Sequence, residues 1–231
     1  MTARRTRMRR TAVALVAVAL ASGCSSLHPG NAAVVGDRTV QVSAVDDLTR
    51  ALCASNDARA VHNPAYLAKT STRDLRRSIL NALVQADVVE QAAASLGVSV
   101  TPAAVDDLLG NGQLVPAGVS TDDTNLLVDL YHEIGRVQLL TAAIGREQLK
   151  RAGTTGASHQ QVTQAGNKFL AAYADKIGVD VDPRFGTYTP SGGITGGSGS
   201  ISVPISPAAR QAQSNNLDAA AIDQLPHTQT C

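Results

Sequence analysis

The chain has 231 residues, of which 44% are hydrophobic, and this length and composition suit one domain with its own core. Aromatic residues make up 3% of the chain and tryptophan is absent. The formal net charge is only +1, so the chain lacks the strong basic excess that is typical of proteins that bind nucleic acid.

The N-terminus has a basic head, MTARRTRMRR, followed by an uninterrupted apolar run over residues 12–21. This order predicts a secretory signal peptide over residues 1–23, and the run is shorter than the roughly 20 apolar residues that span a bilayer. The tetrapeptide ASGC, which ends at Cys24, resembles a bacterial lipobox, although the consensus prefers Leu in its first position. The resemblance implies cleavage before Cys24 and its lipidation, with acyl chains such as palmitate anchoring the protein to the outer face of the cell membrane. An ordinary signal peptide that happens to contain a cysteine is the alternative.

Removal of residues 1–23 would leave 15 basic and 19 acidic side chains, a net charge of −4. Such a chain has neither a basic surface for nucleic acid nor a polybasic stripe for anionic lipids. Cys53 and Cys231 would remain beside the lipidated cysteine, in an oxidising compartment. They predict one disulfide that returns the C-terminus to an early helix, and two free thiols are the alternative.

The first predicted elements after a polar tether, residues 24–32, are a β-hairpin and a helix. Two short apolar arms surround a Gly-Asp dipeptide and predict a hairpin over residues 33–42. Ser43, with an acid at the third position after it, predicts the N-cap of a helix with the sequence SAVDDLTRALCAS. Residues 55–71 are polar, contain a proline and predict a connector.

Helical periodicity dominates the middle of the chain. The apolar residues between Thr72 and Leu96 recur at alternating spacings of four and three, as in a packed helix. A short helix is predicted to follow, with a Thr-Pro pair at its start. Two more helices are predicted at about residues 121–151 and 158–177.

The character of the sequence changes after residue 178. The segment VDVDPRFGTY predicts a strand, SGGITGGSGS a flexible turn, and SISVPIS a second strand. A weak helix is predicted near residues 217–225 of the polar tail. We expect the late strands to pair with the early hairpin. The predicted fold class is therefore mainly α, a helical bundle with a small antiparallel sheet formed by the N-terminal hairpin and C-terminal strands.

No credible catalytic or metal-binding pattern is visible. A zinc-protease helix needs a second histidine four positions after the first, but Arg136 stands four positions after His132. The glycine-rich GGITGGSGS lies between two predicted strands and has no lysine, unlike a phosphate-binding loop. The sequence therefore predicts a protein that is not an enzyme and that uses no cofactor and no metal.

The order of these elements resembles the N-terminal domain of SurA-type extracytoplasmic chaperones and, more distantly, PrsA and trigger factor. The resemblance spans about residues 33–190 and lies in the Gly-Asp hairpin, the paired acids of VDDL and the phrase LGVSVTPAAVDDLL. The segment VDVDPRFGTY is similar to a strand in actinobacterial lipoproteins of this type. The hairpin lacks the family's usual Asn, and the residues after Val179 leave no room for a parvulin domain.

The resemblance implies a SurA-like helical domain, which we place over residues 33–206, and the predicted disulfide would return the tail over residues 207–231 to it. It also implies that unfolded or partly folded exported polypeptides bind in an apolar cradle between helices, without isomerase activity. A structural or adaptor lipoprotein that binds one specific cell-envelope partner is the alternative. Ordinary core packing is the competing interpretation of every candidate peptide-binding residue. These candidates are Leu83, Leu127, Tyr131, Ile134 and Phe169.

Overall fold

The computed structural model describes residues 29–61, 63, 69–110, 112–196, 205 and 217–231. The predicted signal peptide and Cys24 lie outside these residues, as does the predicted strand SISVPIS except for Ile205.

The N-terminal hairpin forms as predicted and becomes the centre of a small sheet. Strands β1 (Asn31–Val35) and β2 (Arg38–Gln41) are antiparallel around a turn at Gly36 and Asp37. Strand β3 (Val179–Val181) pairs antiparallel with the other side of β1, which gives the strand order β2-β1-β3. Pairing between a late strand and the early hairpin is thereby confirmed, as is the mainly helical fold with small antiparallel sheets.

Five helices form the body of the molecule. They are α1 (Val42–Ala60), α2 (Thr72–Leu96), α3 (Pro102–Leu109), α4 (Thr121–Arg151) and α5 (His159–Ile177). Helices α2 to α5 each begin after a Ser or Thr whose hydroxyl accepts a hydrogen bond from a backbone N–H of the first turn. Gly97, with a φ of 66°, ends α2 in the left-handed conformation, as the sequence predicts.

The prediction for α1 is wrong at both ends. The helix starts at Val42, directly after β2, and its N-cap residue Gln41 makes no side-chain capping bond. Ser43 therefore lies inside the helix, and Asp46 pairs with Arg76 of α2 at 2.7 Å instead of closing a capping box. The helix also continues through residues 55–60, because this stretch contains neither Gly nor Pro and buries the side chain of Ser55.

Helix α2 lies at the centre of the core. It contacts α1, α4, α5 and the sheet, so its buried face is wider than the single stripe that the sequence predicts. Leu80 and Val84 lie off that stripe and are fully buried, whereas Ala82 within it is only half-buried. Burial of α2 on several sides explains the difference, because each neighbouring element covers a different part of its circumference.

Helices α4 and α5 approach each other closely through glycines. A Cβ atom on Gly145 would lie 2.0 Å from the backbone oxygen of Val162. A Cβ atom on Gly166 would lie 2.4 Å from the backbone oxygen of Thr141. The two helices therefore pack backbone against backbone at this crossing.

The segment VDVDPRFGTY is not a single strand. It contains β3, a turn in which the carboxylate of Asp182 accepts a hydrogen bond from the backbone N–H of Arg184, and then β4 (Thr187–Thr189). Strand β4 pairs with β5 (Gly193–Thr195), so the predicted flexible turn SGGITGGSGS is wrong at these three residues. The reason is tertiary, because Ile194 is buried and its backbone N–H donates to Asn81 Oδ1 of α2 at 3.0 Å.

The C-terminal tail returns to the body of the molecule. A short helix, α6 (Ala219–Asp223), lies within the predicted helical stretch and is followed by a 3-10 helix (His227–Gln229). The sulfur atoms of Cys53 and Cys231 are bonded, their Cα atoms lie 5.2 Å apart, and Cys231 exchanges two backbone hydrogen bonds with Thr70. This geometry is compatible with the predicted disulfide.

Candidate polypeptide-binding cleft

A solvent-open cleft of about 480 Å³ lies between the outer edge of the sheet and the helices. Strand β2 forms one wall, α2 and α4 form the other, and α1 contributes Ala44. The lining residues are Thr39, Val40, Gln41, Ala44, Leu83, Ala86, Asp87, Glu90, Glu133 and Arg136.

The wall formed by β2 is a sheet edge. In an antiparallel ladder, residues alternate between hydrogen-bonding to the neighbouring strand and pointing away from it. Arg38 and Val35 close the two-residue turn, so the next residue, Thr39, points its backbone N–H and C=O away from β1. The described residues provide no hydrogen-bond partner for these two groups. The cleft therefore presents an unpaired backbone edge.

The helical wall is charged. Arg38 of β2 donates to Asp87 at 3.0 Å and also pairs with Glu90, so the hairpin is tied to α2. Arg136 of α4 pairs with Glu90 as well and donates to Glu133 at 3.2 Å. Three carboxylates therefore share two guanidinium groups, and this charge cluster of Arg38, Asp87, Glu90, Glu133 and Arg136 has a formal charge of −1.

Glu133 is the carboxylate of this group whose pKa is shifted by its surroundings. Partial burial raises the pKa of its carboxyl group above the ordinary value, the charge of Asp87 raises it further, and Arg38 opposes the change only in part. The ionised form of Glu133 is thus disfavoured where it stands, and one more cation at the cleft would stabilise it.

The remaining lining is small and apolar. Val40 and Ala86 are buried, and Leu83 is half-buried beside them. Ala44 and Ala86 have short side chains, so they leave space between β2 and the helices. The cleft consequently combines an apolar floor, a charged wall and a free strand edge within one opening.

The structure does not bring the five predicted peptide-binding residues together. Only Leu83 lines the cleft. Leu127 is fully buried and packs in the core, which corrects its assignment to an accessible groove. Tyr131 and Phe169 are half-buried against the core, and Ile134 is 46% exposed next to Glu133 without lining the cleft.

The sequence interpretation missed the polar residues of the cleft. Asp87 and Glu90, like Glu133 and Arg136, are three positions apart on their helices and therefore share a face. That spacing could have marked two charged faces. It could not show that the two faces meet, because residues from α2 and α4 converge only in the tertiary structure.

A second, smaller cleft of about 230 Å³ lies between α2, α5 and the β4–β5 sheet. Its polar lining includes the amides Asn81, Gln85 and Asn167 together with Tyr188, the pKa of which burial raises. One of these amides already accepts the hydrogen bond from Ile194, so this cleft serves to seat β5 on the helices.

Within the described ranges, no group of three or more His, Cys, Asp or Glu side chains is arranged to hold a metal ion. His132, which the sequence marks because it precedes a glutamate, has its Nδ1 atom 3.5 Å from Asp106 of α3. None of the helices in the described part of the chain is both long and apolar enough to cross a membrane. The absence of a cofactor, a metal and an enzymatic activity stays a prediction.

Comparison with known families agrees with the order of the elements. Residues 3–115 match the family model of the SurA-like N-terminal domain. The chain carries a SurA-like N-terminal domain. The resemblance to SurA is thus confirmed, and it relates the protein to a chaperone-like family. No curated protein and no solved structure matches the chain.

The SurA-like match covers one side of the cleft and not the other. It includes β1, β2 and the helices α1 to α3, and it ends before α4 begins at Thr121. The strand edge and the acids of α2 therefore belong to the SurA-like part, whereas Glu133 and Arg136 come from the helix that follows. The predicted domain limits, residues 33–206 and 207–231, stay predictions.

Proposed function

We propose that this protein is an extracytoplasmic chaperone-like protein that binds unfolded or partly folded exported polypeptides in the cleft beside β2. The observation that carries the proposal is the position of the cleft. Strand β2 and helices α1 and α2, all within the SurA-like domain, place an unpaired backbone edge next to the apolar side chains of Val40 and Leu83. Edges and exposed apolar surfaces are the features through which proteins engage extended chains without reading a sequence.

We further propose that the protein acts without isomerase or other enzymatic activity and is anchored by a lipid on Cys24 at the outer face of the membrane. The support is the basic head, the apolar run and the lipobox-like ASGC in their order along the chain. The Cys24→Ser variant is expected to lose incorporation of a palmitate analogue and to leave the membrane fraction of cells. Unchanged labelling of this variant would place the lipid on another residue, and absence of labelling in the parent protein would contradict the anchor.

The chaperone proposal is tested by suppression of aggregation. Protein that starts after Cys24 is mixed with a chemically unfolded test protein, and light scattering is followed at several molar ratios. We expect suppression that depends on the ratio and that an inert protein of similar size does not match. Absence of any effect at an excess of this protein would contradict a general holding activity.

A matched pair of leucine substitutions locates that activity in the cleft. Leu83→Gln places a polar amide on the apolar floor and is expected to weaken suppression several-fold. Leu108→Gln changes an exposed leucine of α3, outside the cleft lining, and is expected to leave suppression as in the parent protein. Equal behaviour of the two variants would move client binding away from this cleft.

A dedicated adaptor for one cell-envelope partner is the second candidate. The composition favours it, because both methionines of the chain lie within residues 1–8 and only 3% of residues are aromatic. Surfaces that adapt to many partners are often rich in Met and flexible side chains. Crosslinking on intact cells distinguishes the two functions, since an adaptor yields one dominant partner and a chaperone yields many.

A further inference from the structure

We propose that the bound polypeptide segment adds to the outer edge of β2 as an extended strand and places one lysine or arginine side chain against Glu133 and Asp87. This inference rests on the proposed function, because it specifies the chemistry and the conformation of the segment that the cleft would hold. It names a basic, extended segment of a client as the occupant.

The outer edge of β2 is unpaired at the cleft. Thr39 presents a donor and an acceptor at the cleft that the described residues leave unpaired. Proteins commonly protect such edges with charged side chains that extend over them. The charged residue of β2 at this place, Arg38, instead forms ion pairs with Asp87 and Glu90 of α2. The edge beside it thus remains open for main-chain hydrogen bonds with another strand.

The side chains of a strand added at this edge would alternate between the apolar floor of the cleft and the opposite face of the sheet. Successive residues of an added strand would point to opposite faces of the sheet, as in β2 itself. Those on the same face as the buried Val40 would meet Leu83 and Ala86 of α2. The space beside these side chains suits small or branched apolar residues at alternate positions of the segment.

The charges at the cleft are complementary to a basic segment. The charge cluster at the cleft has three carboxylates of the lining and two guanidinium groups, of which Arg38 lies just outside the lining, so one additional cation neutralises the cluster. Partial burial and the charge of Asp87 disfavour the ionised form of Glu133, and a lysine or arginine from the segment would favour that form by pairing with it. A segment with an acidic side chain at the same position would instead add a fourth carboxylate to the cleft.

The same charges disfavour a second copy of this chain as the occupant. Pairing of two β2 edges would bring two of these charge clusters, each with a formal charge of −1, next to each other. It would also place two copies of Arg38 at one junction. Self-association through β2 is therefore the outcome that the experiment must separate from client binding.

The probe is a fluorescein-labelled peptide of about seven residues, a common strand length, with alternating valine and threonine and one central lysine. Its binding to the soluble protein is followed by fluorescence anisotropy. We expect at least about tenfold weaker binding when the central lysine is replaced by glutamate. Equal affinity of the lysine and glutamate peptides would overturn the charge assignment.

The strand assignment is tested on the peptide backbone. Two further peptides carry N-methyl groups at one or the other set of alternate residues, because only one set of N–H groups can face β2. We expect one methylated peptide to lose at least about tenfold in affinity and the other to bind like the unmodified peptide. Equal binding of all three peptides would overturn the addition of a strand.

Protein variants test the same two contacts from the other side. Thr39→Pro removes the outward N–H without removing a bond of the β1–β2 ladder, and proline is tolerated at such edge positions. We expect Thr39→Pro to weaken binding of the lysine peptide at least about tenfold. Thr39→Val keeps the N–H and is expected to bind the peptide like the parent protein.

Glu133→Gln tests the charge contact and is expected to weaken binding of the lysine peptide. Asp129→Asn changes an exposed acid of α4 outside the cleft and is expected to leave binding unchanged.

The peptide assay and the aggregation assay together separate failure of the inference from failure of the proposed function. If the protein suppresses aggregation but the lysine peptide does not bind, the strand-addition inference is wrong and the proposed function stands. If neither assay gives a signal, both the strand-addition inference and the proposed function are wrong. A dimer in sedimentation experiments that Thr39→Pro dissociates would assign the edge to a second copy of the chain and overturn the inference. If Thr39→Pro does not fold by circular dichroism, the methylated peptides decide the question.

Discussion

At the scale of single residues, Glu133 shows how the environment sets the protonation of a side chain. Burial and the neighbouring Asp87 raise the pKa of its carboxyl group, although Arg136 donates to it at 3.2 Å. Glu147, four turns further along the same helix, has its pKa lowered, chiefly because Arg151 donates to it at 2.8 Å. Two glutamates of one helix therefore affect the pH dependence of stability with opposite signs.

We expect Glu133→Gln to gain stability relative to the parent protein as the pH rises from about 4 to 7, a range that extends above ordinary carboxyl pKa values. Below the pKa that Glu133 has in the unfolded state, its carboxyl group is protonated in both states and its ionisation does not affect the free energy of unfolding. Above the raised pKa of the folded state, ionisation opposes folding in the parent and not in the variant. Thermal melts of both proteins at several pH values measure the difference.

Glu147→Gln is the control for that experiment. The pKa of Glu147 is lower in the folded state, so its contribution to stability is present above the ordinary pKa and is lost as the pH falls. The melting temperature of this variant relative to the parent is expected to fall, not rise, between the same two pH values. A common trend for both variants would contradict the assigned cause.

At the scale of elements, the crossing of α4 and α5 depends on the absence of side chains. Gly145 and Gly166 allow the backbones of the two helices to touch, and a Cβ atom on either would lie within 2.4 Å of a backbone oxygen. Glycine is a poor helix former, so its presence within both helices has a cost in helix propensity. Close packing of the two helices is what offsets that cost.

We expect Gly145→Ala to destabilise the protein by about 1–3 kcal/mol, the usual range for an overpacked contact. Gly135→Ala is the matched control in the same helix. Its new Cβ atom would lie 3.2 Å from a side-chain carbon of Val105, which can move, and not against backbone. The two denaturation midpoints should therefore separate, with Gly135→Ala much closer to the parent. Equal midpoints would show that the two helices can move apart at little cost.

At the scale of the whole molecule, the disulfide joins the C-terminal tail to the first helix. Cys53 lies in α1 and Cys231 is the last residue, so the bond closes a loop with a sequence separation of 178. The isolated bridge between Ser71 and Thr230 holds the tail beside the start of α2. The bond acts on the tail together with this bridge and with the hydrogen bond from Lys69 Nζ to the backbone oxygen of Asp223.

We expect Cys53→Ser with Cys231→Ser to lower the free energy of unfolding, by at most about 5 kcal/mol in the chain-entropy model for a loop of this length. Denaturant unfolding of the double variant, compared with the parent before and after reduction, measures the loss. The reduced parent and the double variant should behave alike. A parent that reduction does not affect would show that the tail is held by its backbone contacts alone.

The helices were predictable because their signals are local. The limits of α2 to α5 follow from Ser and Thr caps, terminal glycines and apolar spacing, and the structure agrees with them closely. The start of α1 was not predictable from its cap, because β2 continues directly into the helix and Ser43 has no free turn to cap. Strand β5 was missed because a glycine-rich segment carries little strand signal until Asn81 and the core hold it.

The sequence by itself determined the helical order, the hairpin and the SurA-like character of the first half, since each depends on residues that are neighbours in the chain. The tertiary structure alone decided the cleft. Its walls come from β2, α2 and α4, and the charges that meet there are separated by tens of residues along the chain. Leu83 could be selected from its apolar character, but Thr39 and Glu133 acquire a role only because distant elements pack around one opening. Local patterns fix what each segment becomes, whereas burial and charge at a site depend on which segments the fold brings together.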